Sequence, residues 1–126
     1  MEDANVSDVL NGVVTRVDKP WGYELWWART ERYVGKILHV TAGHALSLQY
    51  HNVKEETILV YAGRLLFEIQ EGERLVGREM GPGERIHVSP GQVHRMTAIE
   101  DCDLFEVSTP ELEDVVRLED RYGRST

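Results

Sequence analysis

Short apolar or alternating segments, separated by turn residues about every ten positions, run from Arg16 to Val107, the pattern of an all-β sandwich or barrel. The alternation predicts strands over residues 23–28, 33–41, 46–51, 57–62, 64–70, 74–79, 85–88, 94–98 and 103–107. On one of them Leu65, Phe67 and Ile69 alternate with Leu66, Glu68 and Gln70, as on a strand with one face against a core. The breaks carry turn chemistry: Ala42-Gly43, Ala62-Gly63, Glu71-Gly72, Gly81-Pro82-Gly83 and Pro90-Gly91. Residues 1–14 read as a polar lead-in. The tail over residues 110–121 reads as a short helix, with Pro110 near a first turn, acids after it, and a partial apolar face from Leu112, Val115, Val116 and Leu118.

Composition narrows the class. At 126 residues, 41% apolar and 29% charged, the chain suits the lead-in plus one globular domain over residues 15–126. Apolar runs such as Ile58-Leu59-Val60-Tyr61-Ala62 are too short to span a bilayer. The acidic start Met1-Glu2-Asp3 is unlike a secretory signal, and the lone Cys102 forms no internal disulfide, so a cytoplasmic location is expected. A net charge of −8 argues against nucleic-acid or membrane-surface partners. An anionic small substrate stays open, because a pocket needs only a few local cations.

The candidate chemistry lies in two glycine-framed segments, Gly43-x5-Gln49-x-His51-x4-Glu56-x6-Gly63 and Gly83-x5-Ser89-x-Gly91-x2-His94. Residues two apart on a strand share a face, so Gln49 and His51 point the same way, while Glu56 begins the next strand and His94 arrives from a distant one. Two imidazoles, one carboxylate and one amide oxygen can surround a divalent ion. Zinc is the first expectation, and the ligand types also admit Mn, Fe, Co or Ni.

The two segments resemble the signature motifs of the cupin superfamily, double-sheet jelly-roll barrels. Gln49 stands at the first histidine of that pattern, and Ser89 at the proline of the second motif. A narrower resemblance is to the type II phosphomannose isomerases. It is carried by Lys19-Pro20-Trp21-Gly22-Tyr23-Glu24, Lys36-Ile37-Leu38, Leu46-Ser47-Leu48-Gln49-Tyr50-His51, His94-Arg95 and the stretch from Val115 to Arg124. In the family Gln-x-His is commonly followed by His-His-Arg-x-Glu-His-Trp. Here Asn52, Val53 and Ile58 replace family residues, and Lys54 takes the arginine place. A lysine binds phosphate as a point charge, without a bidentate fork.

The resemblance implies a metal-dependent aldose–ketose isomerase, most directly of mannose 6-phosphate and fructose 6-phosphate, working through an enediol(ate). Such a reaction needs a base, an acid and a cation facing the developing oxyanion. Glu56, Lys36 and Lys54 are the expected proton-moving residues. Only one of Lys36 and His39 can face inward on a regular strand, and the resemblance favours Lys36. Lys54, Arg95 and Arg124 are the expected phosphate contacts; Arg95 needs a turn or bulge to reach the pocket, because His94 precedes it. His44 and His87 read as surface or structural histidines. Trp26 and Trp27 should face opposite sides, leaving one exposed or in an interface, and a homodimer through a shared sheet is expected. The competing readings are a non-catalytic sugar-binding or sensory cupin and an Fe(II) cupin dioxygenase.

Overall fold

A computed structural model describes residues 10 and 12–124; most of the polar lead-in lies outside the described residues. Two antiparallel sheets face one another. The first runs, in spatial order, β1 (Thr15–Lys19), β2 (Gly22–Arg29), β3 (Val34–Val40), β10 (Cys102–Ser108), β5 (Glu56–Ala62) and β8 (Arg85–Val88). The second runs β11 (Val116–Glu119), β4 (Leu48–Tyr50), β9 (His94–Ala98), β6 (Leu65–Glu71) and β7 (Arg74–Met80). This is the all-β, double-sheet architecture expected of a jelly roll, and each of the nine anticipated strands has a counterpart. The four glycines that frame the motifs, Gly43, Gly63, Gly83 and Gly91, all hold positive φ, between 82° and 90°. The turns that deliver the site residues therefore use a conformation that other residues avoid.

Two segments depart from expectation. Residues 15–19, which carry only one large apolar side chain, form an edge strand against β2, joined by a two-residue turn at Pro20 and Trp21. The expected C-terminal helix does not form. Residues 110–115 make successive tight turns, with Leu112 N–H bonded to the Pro110 carbonyl at 2.8 Å and Val115 N–H to that of Glu113 at 2.9 Å. The chain then enters β11, where Val116 pairs with Tyr50 and Arg117 with Gln49. The physical reason is an open partner. The three-residue β4 has an edge facing this segment, and the ladder satisfies backbone groups on both sides, whereas the partial apolar face of the tail is too weak to hold a helix alone.

Register divides the inner face of the first sheet into two zones. Val60, Leu104 and Leu38 align across β5, β10 and β3, and Cys102 aligns with Val40. With Trp21, Leu65, Phe67, Met80 and Met96 they form the apolar core. One step along the same strands, the alternation places Glu106 beside Lys36, and Ser108 between Glu56 and Val34. Every one of these polar side chains is buried. The outer face of this sheet leaves Trp27, Tyr61 and Val107 exposed, with Tyr61 stacked on Phe105 at 4.7 Å. Among the described residues, no helix is long and apolar enough to cross a membrane.

Candidate functional site

The polar zone opens onto a cavity of about 880 Å³ between the sheets. His51, Glu56 and His94 meet there. One ligand atom of each lies within 4.8 Å of the others, and all three residues are buried. Register explains the meeting: Gln49 on β4 pairs directly with His94 on β9, His51 follows two residues after Gln49, and Glu56 opens β5 on the facing sheet.

The histidine tautomers are set by the main chain. His51 Nδ1 lies 2.6 Å from the Asp114 carbonyl and His94 Nδ1 2.9 Å from the Gln92 carbonyl. A carbonyl only accepts, so each Nδ1 carries hydrogen and each neutral ring turns an Nε2 lone pair inward. Those Nε2 atoms stand 3.3 and 3.5 Å from Glu56 Oε1. Both are buried and neither makes a hydrogen bond. Read as ion pairs, these contacts would require imidazolium rings; the carbonyl-fixed tautomers instead bring three electron-rich atoms together with no proton among them. A divalent cation is the group that fits such a donor set, and outer hydrogen bonds of this kind are what orient metal-binding imidazoles. Gln49 also lines the cavity, its Oε1 accepting the Ser47 hydroxyl at 2.6 Å.

Around this triad runs a row of alternating buried charges. Lys54 Nζ lies 3.0 Å from Glu56 Oε2 and 3.3 Å from Glu106 Oε2. Lys36 Nζ lies 3.2 Å from Glu24 Oε1, which also accepts the Trp26 indole N–H at 2.8 Å. Burial opposes every one of these charges, and the neighbours decide the outcome. For Glu24, Lys36 and the indole win, so its carboxyl sits below the usual range. For Glu56, the Lys54 ammonium at 3.0 Å is the neighbour that keeps the carboxylate charged against burial. For Lys54, Glu106 and Glu56 outweigh burial and hold the ammonium above the usual lysine range. Glu106 goes the other way: burial and the nearby Glu56 push it up to about 7. The opposite tendencies of Lys54 and Glu106 are consistent, because one ammonium shared by two carboxylates cannot neutralise both.

The structure therefore places Lys36, Lys54 and Glu56 on the cavity wall, with Arg124 at its edge. Lys36 lies on the inner face as favoured, while His39 faces outward against Asp103. The lowered lysine pKa on which a Lys54 base depends is absent; its two carboxylates keep it charged. Arg95 does not reach the cavity. It follows His94 on a regular strand and bonds Glu68 at 2.9 Å on the opposite face, with Glu119 at 3.4 Å. Arg124 is held by Asp120 at 2.7 Å. His44 bonds the Tyr122 hydroxyl and His87 pairs with Glu55, both away from the cavity. Trp26 lines the cavity and Trp27 is exposed, on opposite sides as expected, whereas Glu24 and Glu106 line it without having been singled out from sequence. Their signal was strand parity, since Glu106 shares a strand face with the buried Leu104, and Glu24 with Trp26.

Asp114 ties the loop after His51 to the C-terminal segment. Its carboxylate accepts main-chain N–H groups of Asn52, Val53 and Lys54 at 3.0, 2.7 and 2.9 Å. The loop is gripped through its backbone, so Asn52 and Val53 can replace histidines without loosening it. These bonds hold the Asp114 carboxyl at about 2, against an ordinary 3.8, and Arg124 does the same to Asp120. Both folded values lie below the unfolded ones, so the stabilisation is complete above pH ~4 and is lost as pH falls towards ~2. Urea unfolding across that window should show the loss in wild type and a flatter profile in Asp114→Asn. Identical profiles would remove Asp114 as the cause.

Comparison with known proteins agrees with the fold and the frame. The chain is 36% identical over 116 residues to the mannose-1-phosphate guanylyltransferase ManC of Salmonella typhimurium, covering 86% of this chain and 23% of that one. It is 34% identical over the same length to the Escherichia coli mannose-1-phosphate guanylyltransferase. It thus spans about a quarter of the length of the curated relatives it matches. Among solved structures, the capsular polysaccharide assembling protein CapF of Staphylococcus aureus superposes with a TM-score of 0.70 at 16% identity, covering 86% of this chain and 35% of that one. Oxalate decarboxylase from Bacillus subtilis gives 0.70 at 16%, over 83% and 30%. KdgF from Halomonas gives 0.65 at 18%, over 79% and 89%. At such identities these structural likenesses bear on the fold alone. The family match is of a different kind: residues 8–120 fit the description "Mannose-6-phosphate isomerase C-terminal", and the chain belongs to that family.

Proposed function

We propose that this chain is a divalent-metal-dependent isomerase of a hexose phosphate, interconverting mannose 6-phosphate and fructose 6-phosphate. The observation that carries the reading is the convergence of His51 Nε2, His94 Nε2 and the Glu56 carboxylate, without hydrogen-bond partners for either nitrogen, beside buried groups able to move protons. His51, Glu56 and His94, with Gln49 beside them, would hold the metal, which when bound supplies polarisation of a sugar carbonyl and its neighbouring hydroxyl. The rest falls to side chains of the cavity wall. Glu106 lies beside Lys36 in register and within reach of Lys54. In this reading its carboxylate takes the proton from C2 and returns it to C1 of the enediol(ate), while the hydroxyl proton of O2 passes to O1, leaving an alcohol at C1 and a ketone at C2. Lys36, oriented by Glu24, donates hydrogen bonds to the oxygen that gains charge. Lys54 stays protonated and fixes both Glu56 and Glu106. Formal charge supports an anionic ligand: Lys19, Arg29, Lys36, Lys54, Arg117 and Arg124 line the cavity against five carboxylates, in a chain of net charge −8.

Protein loaded with Zn, Mn or Co should form fructose 6-phosphate from mannose 6-phosphate, and chelation should stop it. Glu106→Gln should lower kcat by roughly 100-fold or more with metal content unchanged. Absence of turnover with any of these metals would move the assignment to a sugar-phosphate-binding domain without catalysis. That second reading draws on Lys54, whose pairing with two buried carboxylates keeps it protonated and removes it as a base.

A further inference from the structure

The cations first expected to take the phosphoryl group are engaged elsewhere: Lys54 with Glu56 and Glu106, Arg95 with Glu68, and Arg124 with Asp120. Arg29, by contrast, lines the cavity, is exposed, and makes no ion pair among the described residues. Simple alternation would not put it there. Glu24 and Trp26 face the cavity, so position 28 should follow them and Arg29 should point outward.

The strand breaks that rule. Across β3, Trp26 pairs with Lys36 but Ala28 pairs with Gly35, leaving Trp27 as an extra residue. This is a β-bulge, and a bulge re-aims the side chains that follow it. Trp27 and Ala28 both pass to the outer face, packed over Gly35. A Cβ at position 35 would lie 2.8 Å from the Trp27 ring and 3.1 Å from Ala28 Cβ, so only glycine fits beneath them. Arg29 then falls opposite the buried Val34 and turns inward. Its guanidinium carbon sits 5.6 Å from the centre of the Trp26 ring, a contact that limits its orientations.

Position completes the case. Register aligns Glu56, Ser108, Val34 and Arg29 in one row across β5, β10, β3 and β2. Three interstrand spacings amount to about 14 Å between main-chain positions, which the Glu56 and Arg29 side chains shorten towards the length of an extended hexose phosphate with its carbonyl end near Glu56. We propose that Arg29, turned into the cavity by the bulge at Trp27, is the clamp for the phosphoryl group of a sugar monophosphate. The inference rests on the sugar-phosphate reading above but not on turnover. A guanidinium offers phosphate the bidentate fork that Lys54 lacks.

Calorimetric titration of metal-loaded protein with mannose 6-phosphate and with unphosphorylated mannose tests it. Arg29→Ala should weaken mannose 6-phosphate binding roughly 10- to 100-fold, leave mannose binding and metal content unchanged, and raise KM far more than it lowers kcat. Arg29→Lys should fall between, keeping the charge without the fork. Should wild type bind mannose 6-phosphate through Arg29 yet turn nothing over, the isomerase reading fails and the clamp stands. Equal mannose 6-phosphate affinity in Arg29→Ala and wild type, or a loss seen in Arg124→Ala alone, overturns the clamp whatever the turnover. Wild type that binds no sugar phosphate removes both.

Discussion

Glu56→Ala and His94→Ala should each lower metal affinity by at least about 100-fold and abolish any metal-dependent turnover, while the fold persists. The expectation follows from what each side chain brings. Glu56 is the sole charged member of the donor set, and its loss leaves two neutral nitrogens and the Gln49 amide for a dication. His94 supplies a lone pair whose direction is fixed by the Gln92 carbonyl, and no neighbour can replace it. Gln49→Ala should cost less, because a neutral amide oxygen is the weakest donor and is already shared with Ser47. Metal content after dialysis, by mass spectrometry of the eluted metal, reads all three variants. Full occupancy in both Glu56→Ala and His94→Ala would end the case for this centre. The fold should survive Glu56→Ala because Lys54 keeps Glu106 as a partner.

Lys54→Met should be the most destabilising single substitution in the cavity. Lys54 is buried and stands between Glu56 and Glu106 at 3.0 and 3.3 Å. Without it two buried carboxylates share one wall with no cation between them. Breaking a buried ion pair from one side costs about 3–5 kcal/mol, which for a domain of this size lowers Tm by roughly 15 °C. A second substitution separates charge from packing. Glu106→Gln in the Lys54→Met background removes the surplus carboxylate and should recover much of the loss, since the two residues act as one unit. Thermal unfolding of the single and double variants decides the matter. An unchanged Tm in Lys54→Met, or no recovery in the double variant, would show that the ion pairs do not hold this wall together.

Much of this was legible in the chain. Period-two alternation located the strands because the inner positions are apolar over most of their length, and glycines at forced positive φ marked the turns that frame the site. Glu56 and His94 could be grouped because their frames fix where they enter and leave strands. What escaped were features decided by pairing rather than by pattern. Residues 116–119 became a strand because β4, nearly seventy residues earlier in the chain, offered an open edge, a fact that no local propensity of the segment carries. Arg29 escaped because one extra residue at Trp27 inverts the parity on which every inward or outward assignment depends. Glu106 and Glu24 were visible by parity but carried no motif, and their weight came from the lysines that register set beside them.

The two strands nearest the metal ligands are each inserted between earlier ones: β10 lies between β3 and β5, and β9 between β4 and β6. A chain emerging from the ribosome therefore holds Gln49, His51 and Glu56 outside the tunnel well before either sheet can close. The acceptor that sets the His51 tautomer is the carbonyl of Asp114, 63 residues further along the chain. Contacts of such long sequence separation form late. Ligand geometry is thus a property of the closed pair of sheets, and a chain not yet extended past Asp114 offers passing cations only loose, protonatable side chains.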